Sequence, residues 1–219
     1  MEQKTYVLLG DVISSRQIRN RGEVQQKLAR ACKEINTVYA KEIYADFKIL
    51  KGTDEIGGVL STMTNSYNII STILEQLYPN LIRFVLVFDY IDTALNTRDI
   101  SKMDGPAFHK VSDIMNKLKK SKLMFDACVG NKMIDNCIAG QVNLILLLKK
   151  NWTAKQHLIV KEYKKTKNQY DVAKKLGVTQ QYVSKTLNRL MLKEINNIEE
   201  RLNNMLFEYT QSKASGVVR

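Results

Sequence analysis

Thr5 to Val12 is a nearly continuous apolar run of strand length and reads as a central strand. From Gly22 to Tyr44 the pattern changes: Val24, Leu28, Ala31, Ile35, Val38 and Ile43 recur at mostly three- and four-residue spacing among Lys, Arg and Glu, which predicts an amphipathic helix. Phe47 to Leu50 and Ile56 to Leu60 read as two strands of a hairpin across Lys51-Gly52-Thr53-Asp54-Glu55. A helix from about Thr64 to Leu77, stopped near Pro79, precedes another strand-like run, Leu81 to Phe88. The order β-α-β-β-α-β is that of a ferredoxin-like α+β sheet. A polar stretch, Asp89 to Asp104, then leads through Gly105-Pro106 into a helix reaching about Lys120. A strand at Leu123 to Val129 and a helix at Asp135 to Lys150 complete a first domain, residues 1–150.

Residues 151–219 lose the strand-like runs and predict an all-α second domain. Gln169 to Leu176 and Thr179 to Leu192 read as two helices meeting at Gly177. Ala173, Gly177 and Val183 have the placement that a helix-turn-helix requires. A small residue lets the helices approach, glycine takes the left-handed turn, and a branched side chain plugs the interface. Thr179 would cap the second helix, leaving Gln180, Gln181, Ser184, Lys185 and Asn188 facing a major groove. Gln and Asn can read adenine edges, while Lys174, Lys175, Tyr182 and Arg189 are placed for the phosphate backbone. A helical hairpin with a solvated basic face is the bland alternative. Beyond it, Met191, Ile195, Ile198, Leu202 and Met205 follow steps of four and three, a seam that would serve either a homodimer or packing within the chain.

Charge strengthens the nucleic-acid reading. The chain has 34 Lys and Arg against 22 Asp and Glu, a formal net charge of +12, which favours a polyanionic partner. Residues 151–219 hold 13 basic and 6 acidic side chains, or +7, against 21 and 16, or +5, in residues 1–150. The three cysteines, Cys32, Cys128 and Cys137, form no CxxC pair, so neither a zinc cage nor a disulfide framework is expected. No apolar run approaches the ~18 residues of a membrane span, and the start has no cleavage site of a signal peptide, so a cytoplasmic protein is expected.

Chemistry concentrates at the strand ends of the first domain. Asp11 closes the first strand, and Asp54 and Glu55 lie on the hairpin; in a β-α-β-β sheet these positions come together. Carboxylates so gathered repel unless a cation intervenes, and hard oxygen ligands suit Mg²⁺ or Mn²⁺ together with a nucleotide's phosphates. Ser14, Ser15 and Arg16 would meet those phosphates with amides, hydroxyls and a guanidinium. The alternative is a turn-capping carboxylate paired with Lys51 or Arg16.

Gly10-Asp11-Val12-Ile13-Ser14-Ser15-Arg16, Gly52-Thr53-Asp54-Glu55 and Asp104-Gly105-Pro106-Ala107-Phe108 together resemble the signatures of the SatD family, bacterial proteins that join an N-terminal domain to a C-terminal helix-turn-helix. The resemblance covers nearly the whole chain. The N-terminal domain in turn is similar to the palm-type fold of class III nucleotide cyclases and GGDEF-type diguanylate cyclases. By that resemblance Asp11 and Asp54 would hold metal, with Gly52, Thr53 and Glu55 beside the nucleotide. Thr53 stands where the GGDEF pattern has its second glycine, and Phe108-His109-Lys110 where cyclases carry an asparagine and an arginine. Lys110 or Lys117 would then have to replace the missing cation.

The resulting expectation is a DNA-binding transcriptional regulator whose cyclase-like domain senses a nucleotide or divalent metal. The other reading is a metal-dependent nucleotidyl cyclase or nucleotide hydrolase with an accessory helix-turn-helix. A domain serving only for dimerisation is the third.

Overall fold

The computed structural model describes residues 4–50 and 54–215, except the side chains of Arg16 and Ala214. The chain is a mixed α and β protein with a five-stranded sheet and, among the described residues, eight α-helices. It divides into two compact units, one formed by residues up to Asn143 together with those from Asn203 onward, the other by Leu144–Leu202.

In the first unit the strands are β1 (Lys4–Val12), β2 (Ile43–Ile49), β3 (Glu55–Leu60), β4 (Ile82–Tyr90) and β5 (Phe125–Cys128), in the order β2-β3-β1-β4-β5. β1 pairs antiparallel with both β3 and β4, β2 antiparallel with β3, and β5 parallel with β4. The helices are α1 (Arg21–Val38), α2 (Ser66–Leu77) and α3 (Pro106–Leu118). α4 (Lys132–Lys150) and α8 (Leu192–Ala214) both run across the division between units.

β1 is buried almost throughout because each face of the sheet is covered, which is why its sequence shows no alternation. Val7 and Leu9 point to a core shared with Val59, Val85, Val87 and the Ala107, Val111 and Met115 face of α3. On the other face α1 packs against α2 and β2. Phe47 fills the space left by Gly58, where a Cβ would lie 2.3 Å from the ring.

The predicted first helix stops earlier than expected. It ends at Val38, and Ile43 and Tyr44 open β2. Ile43 fits the helical spacing, but from Ala45 to Phe47 burial alternates with period two, and cross-strand pairing to β3 decides the conformation. In the polar stretch after β4, Ile100 and Met103 are buried and a short 3-10 turn, Ile100–Lys102, carries them onto the sheet core.

Lys213 near the end of α8 belongs to the first unit. Its ammonium donates to the Val129 carbonyl at 3.1 Å and lies 3.3 Å from the centroid of Phe88, with Tyr6 and Tyr209 also within 6 Å. Burial holds its pKa below the usual lysine value. Of the seam, Ile195 and Leu202 on this helix are buried within the chain, whereas Met191, just before it, is exposed.

The second unit holds α5 (Ala154–Thr166), α6 (Gln169–Leu176) and α7 (Gln180–Arg189), which pack on one another. Thr153 and Gln156 form a reciprocal capping box at the start of α5. Ile159, Val172, Val183 and Leu187 make its core. No helix among the described residues is long and apolar enough to cross a membrane.

Candidate functional site

Two places gather polar side chains, one in each unit. In the first unit, β1 carries Asp11 to the sheet end, where it stands directly opposite Glu55 on β3 and Arg83 on β4. Gly10 precedes it because a Cβ there would come within 2.8 Å of Ile82 and Phe84. The Asp11 carboxylate meets the Lys119 ammonium at 2.8 Å. Asp54 turns elsewhere, accepting a 2.5 Å hydrogen bond from the Ser15 hydroxyl. Arg83 Nε is buried with no hydrogen-bond partner among the described residues.

Asp11, Glu55 and Lys119 line a cleft of about 720 Å³ beneath α3. Its walls are apolar at Leu9, Ile100, Phe108 and Met115, and Ser101, Ser112 and Asn116 add hydrogen-bonding groups. His109 sits at the mouth, 3.5 Å from Asp104. An apolar floor with a few converging polar groups is the usual form of a small-molecule site.

Of the residues expected here, Asp11 and Glu55 are brought together, and Ser15 and Asp54 form a second pair. Asp54 is not among the cleft's lining residues. Ser14 takes a left-handed conformation, φ 54°, at the head of the turn Ser15–Gln17. Gly52, Thr53 and the Arg16 side chain lie outside what the structure describes. The cation beside the carboxylate is Lys119; Lys110 is taken up by Asp89 at 2.5 Å. Burial works to raise the pKa of Asp89, but the hydrogen bonds from Lys110 and the Tyr90 amide and the charges of Lys110 and Lys4 together outweigh it, so the net direction is downward.

Whether Mg²⁺ or Mn²⁺ fits can be judged from the donors. Among the described residues no three His, Cys, Asp or Glu side chains gather as a metal cage. A divalent ion held by Asp11 and Glu55 would draw its other ligands from phosphate and water, the common arrangement for Mg²⁺, and would displace Lys119.

In the second unit, Gly177 ends α6 with φ 63°, a conformation that costs glycine nothing. Thr179 caps α7 by accepting from the Tyr182 amide at 3.1 Å. Val183, wholly buried, and Ala173, 6% exposed, lie in the helix interface. This packing turns Gln181, Lys185, Asn188 and Arg189 to the outside, while Gln180 and Ser184 are half-buried. Gln180 Nε2 donates to Gln169 Oε1 at 2.6 Å.

Lys175, expected to reach a phosphate, instead pairs with Glu162 of α5 at 2.6 Å. Lys165 joins the same carboxylate, and hydrogen bonds from Lys175 and then Lys165 pull the Glu162 pKa from its usual 4.5 down to about 2. Tyr182 lies under the Lys155 ammonium, 4.7 Å from the ring centroid. The sequence reading missed Gln169, Arg83 and Lys119. For Gln169 a signal existed, since it opens one helix as Gln180 opens the next; Arg83 and Lys119 become site residues only through tertiary placement.

A search of curated proteins returned no significant match. The model of the SatD family matches residues 6–203, spanning the sheet, the cleft and all three helices of the second unit, and the chain therefore belongs to the SatD family.

Proposed function

We propose that the chain is a DNA-binding regulator in which α6 and α7 are a helix-turn-helix and α7 enters the major groove. The observation that carries this reading is the joint placement of Gly177, Ala173 and Val183, which leaves an outward α7 face of Gln181, Lys185, Asn188 and Arg189. The +7 charge of residues 151–219 supports it. Two half-sites would call for a second copy of the chain, joined through a surface other than Ile195 and Leu202, which are already buried.

The sheet unit is read as ferredoxin-like, of palm type, on its β-α-β-β-α-β succession and the antiparallel order β2-β3-β1-β4. Its cleft would take a nucleotide or a nucleotide with Mg²⁺ or Mn²⁺, with Asp11 and Glu55 on the metal side and Lys119 near the phosphates. Binding there would reach the DNA-binding unit only if the ligand favoured one of two arrangements of the chain.

Mobility shift with random-sequence duplex tests the main reading. Binding at low salt that weakens steeply as salt rises, and weakens further in Lys185→Ala, is the expected result. No binding at low salt overturns it.

The pairing of Asp11 with Glu55 at the cleft also favours a second reading, a metal-dependent nucleotidyl cyclase or hydrolase. Incubation with ATP or GTP and Mg²⁺ or Mn²⁺ decides it: product that disappears in both Asp11→Ala and Glu55→Ala establishes an enzyme. Thermal stabilisation by nucleotide without product establishes a sensor.

A further inference from the structure

We infer that Gln169 is a positioning residue for base reading, holding the Gln180 side-chain amide in the one orientation that matches adenine. The inference rests on the DNA-binding reading above. Gln169 and Gln180 are the first residues of α6 and α7, and the 2.6 Å bond from Gln180 Nε2 to Gln169 Oε1 joins the two helix starts. Among the described residues neither side-chain amide has another hydrogen-bond partner.

A primary amide turned by 180° exchanges its acceptor for its donors. In the major groove adenine offers a donor at N6 and an acceptor at N7, so a glutamine must present Oε1 to the first and an N–H to the second. Guanine offers acceptors at both N7 and O6, and the same orientation would set oxygen against oxygen. A Gln180 side chain free to turn would offer its NH₂ to guanine O6 instead, and would lose part of this discrimination.

Gln169 removes that freedom. If Gln180 alone turned over, its Oε1 would face Gln169 Oε1, two acceptors at hydrogen-bond distance. Both amides could turn together, but then Gln169 would point its oxygen rather than its NH₂ outward. In the proposed DNA complex that outward group would face the phosphate backbone, which accepts hydrogen bonds and does not donate them. A phosphate therefore fixes Gln169, Gln169 fixes Gln180, and Gln180 selects adenine.

The test is selection of preferred duplexes from a randomised library by the full chain, followed by anisotropy titrations on the selected duplex and on the same duplex changed at single positions. Gln180→Ala identifies the position it reads. Gln169→Ala is expected to lose about tenfold in preference for adenine at that same position and to leave the other positions unchanged. Gln169→Glu retains the acceptor but turns a negative group toward phosphate, so it should keep the adenine preference while weakening binding to every duplex. Thermal unfolding of both variants should match that of the parent chain.

Full adenine preference in Gln169→Ala overturns the inference, as does a loss spread equally over all positions. If the parent chain binds but shows no adenine preference that depends on Gln180, the inference also fails while the DNA-binding reading stands. If the parent chain binds no duplex, both fail together.

Discussion

Lys119, at the C-terminal end of α3, places its ammonium 2.8 Å from the carboxylate of Asp11 on β1. The cleft thus contains its own counter-charge, on a side chain long enough to swing away. Replacing Lys119 by Met should increase affinity for Mn²⁺, measured by titration calorimetry, because the ammonium that competes with a metal for the Asp11 carboxylate is then gone. The stability change should stay below about 1 kcal/mol, since Lys119 is 45% exposed and the pair is screened by water. Unchanged Mn²⁺ affinity would remove Asp11 from consideration as a cation ligand.

Gly58→Ala should destabilise the sheet unit by about 1–3 kcal/mol in urea unfolding, the usual cost of forcing a methyl group into a filled core. The added carbon would lie 2.3 Å from a Phe47 ring that is almost fully buried and has no free direction to move. A change within experimental error would show that β2 can shift to make room.

Acid should weaken the second unit through Glu162. Its pKa is about 2 in the folded chain against an ordinary 4.5. A depressed carboxylate pKa contributes stability that is complete above about pH 4.5 and is lost as pH falls toward 2. Thermal unfolding followed from pH 6 to pH 2 should show this fall, and Glu162→Gln should flatten it. An equal slope in the variant would place the acid sensitivity elsewhere.

The three thiols should differ in reactivity. Cys137 is exposed, Cys128 half-buried and Cys32 buried, and burial pushes the Cys32 thiol up to about 11. Only the thiolate attacks, so an aromatic disulfide reagent at pH 8 should modify Cys137 first and Cys32 only on unfolding. Rapid reaction of Cys32 in the native chain would mean that α1 opens readily.

The contrast between β1 and the start of β2 shows what was legible. β1 could be read because a sheet covered on both faces demands an unbroken apolar run. Ile43 and Tyr44 could not, because their spacing suits a helix and only pairing with β3 overrides it. The meeting of Asp11 with Glu55 follows from hairpin order alone, whereas Lys119 lies far along the chain and arrives through the packing of α3. Asp54 was adjacent to the right residue but lies in the turn before β3, and its carboxylate went to Ser15. In the second unit the turn at Gly177 was readable from residue types, while Lys175 was lost to Glu162 because an internal carboxylate competes for the same ammonium that a phosphate would take.

Lys213 binds Val129 and stacks on Phe88, both in the sheet unit, although it follows the whole of the second unit in the chain. During synthesis the sheet unit therefore waits for its last helix until every residue of α5, α6 and α7 has left the ribosome. Tyr6 and Phe88, made at the start of the chain, meet their Lys213 partner only after the whole of the second unit has been synthesised.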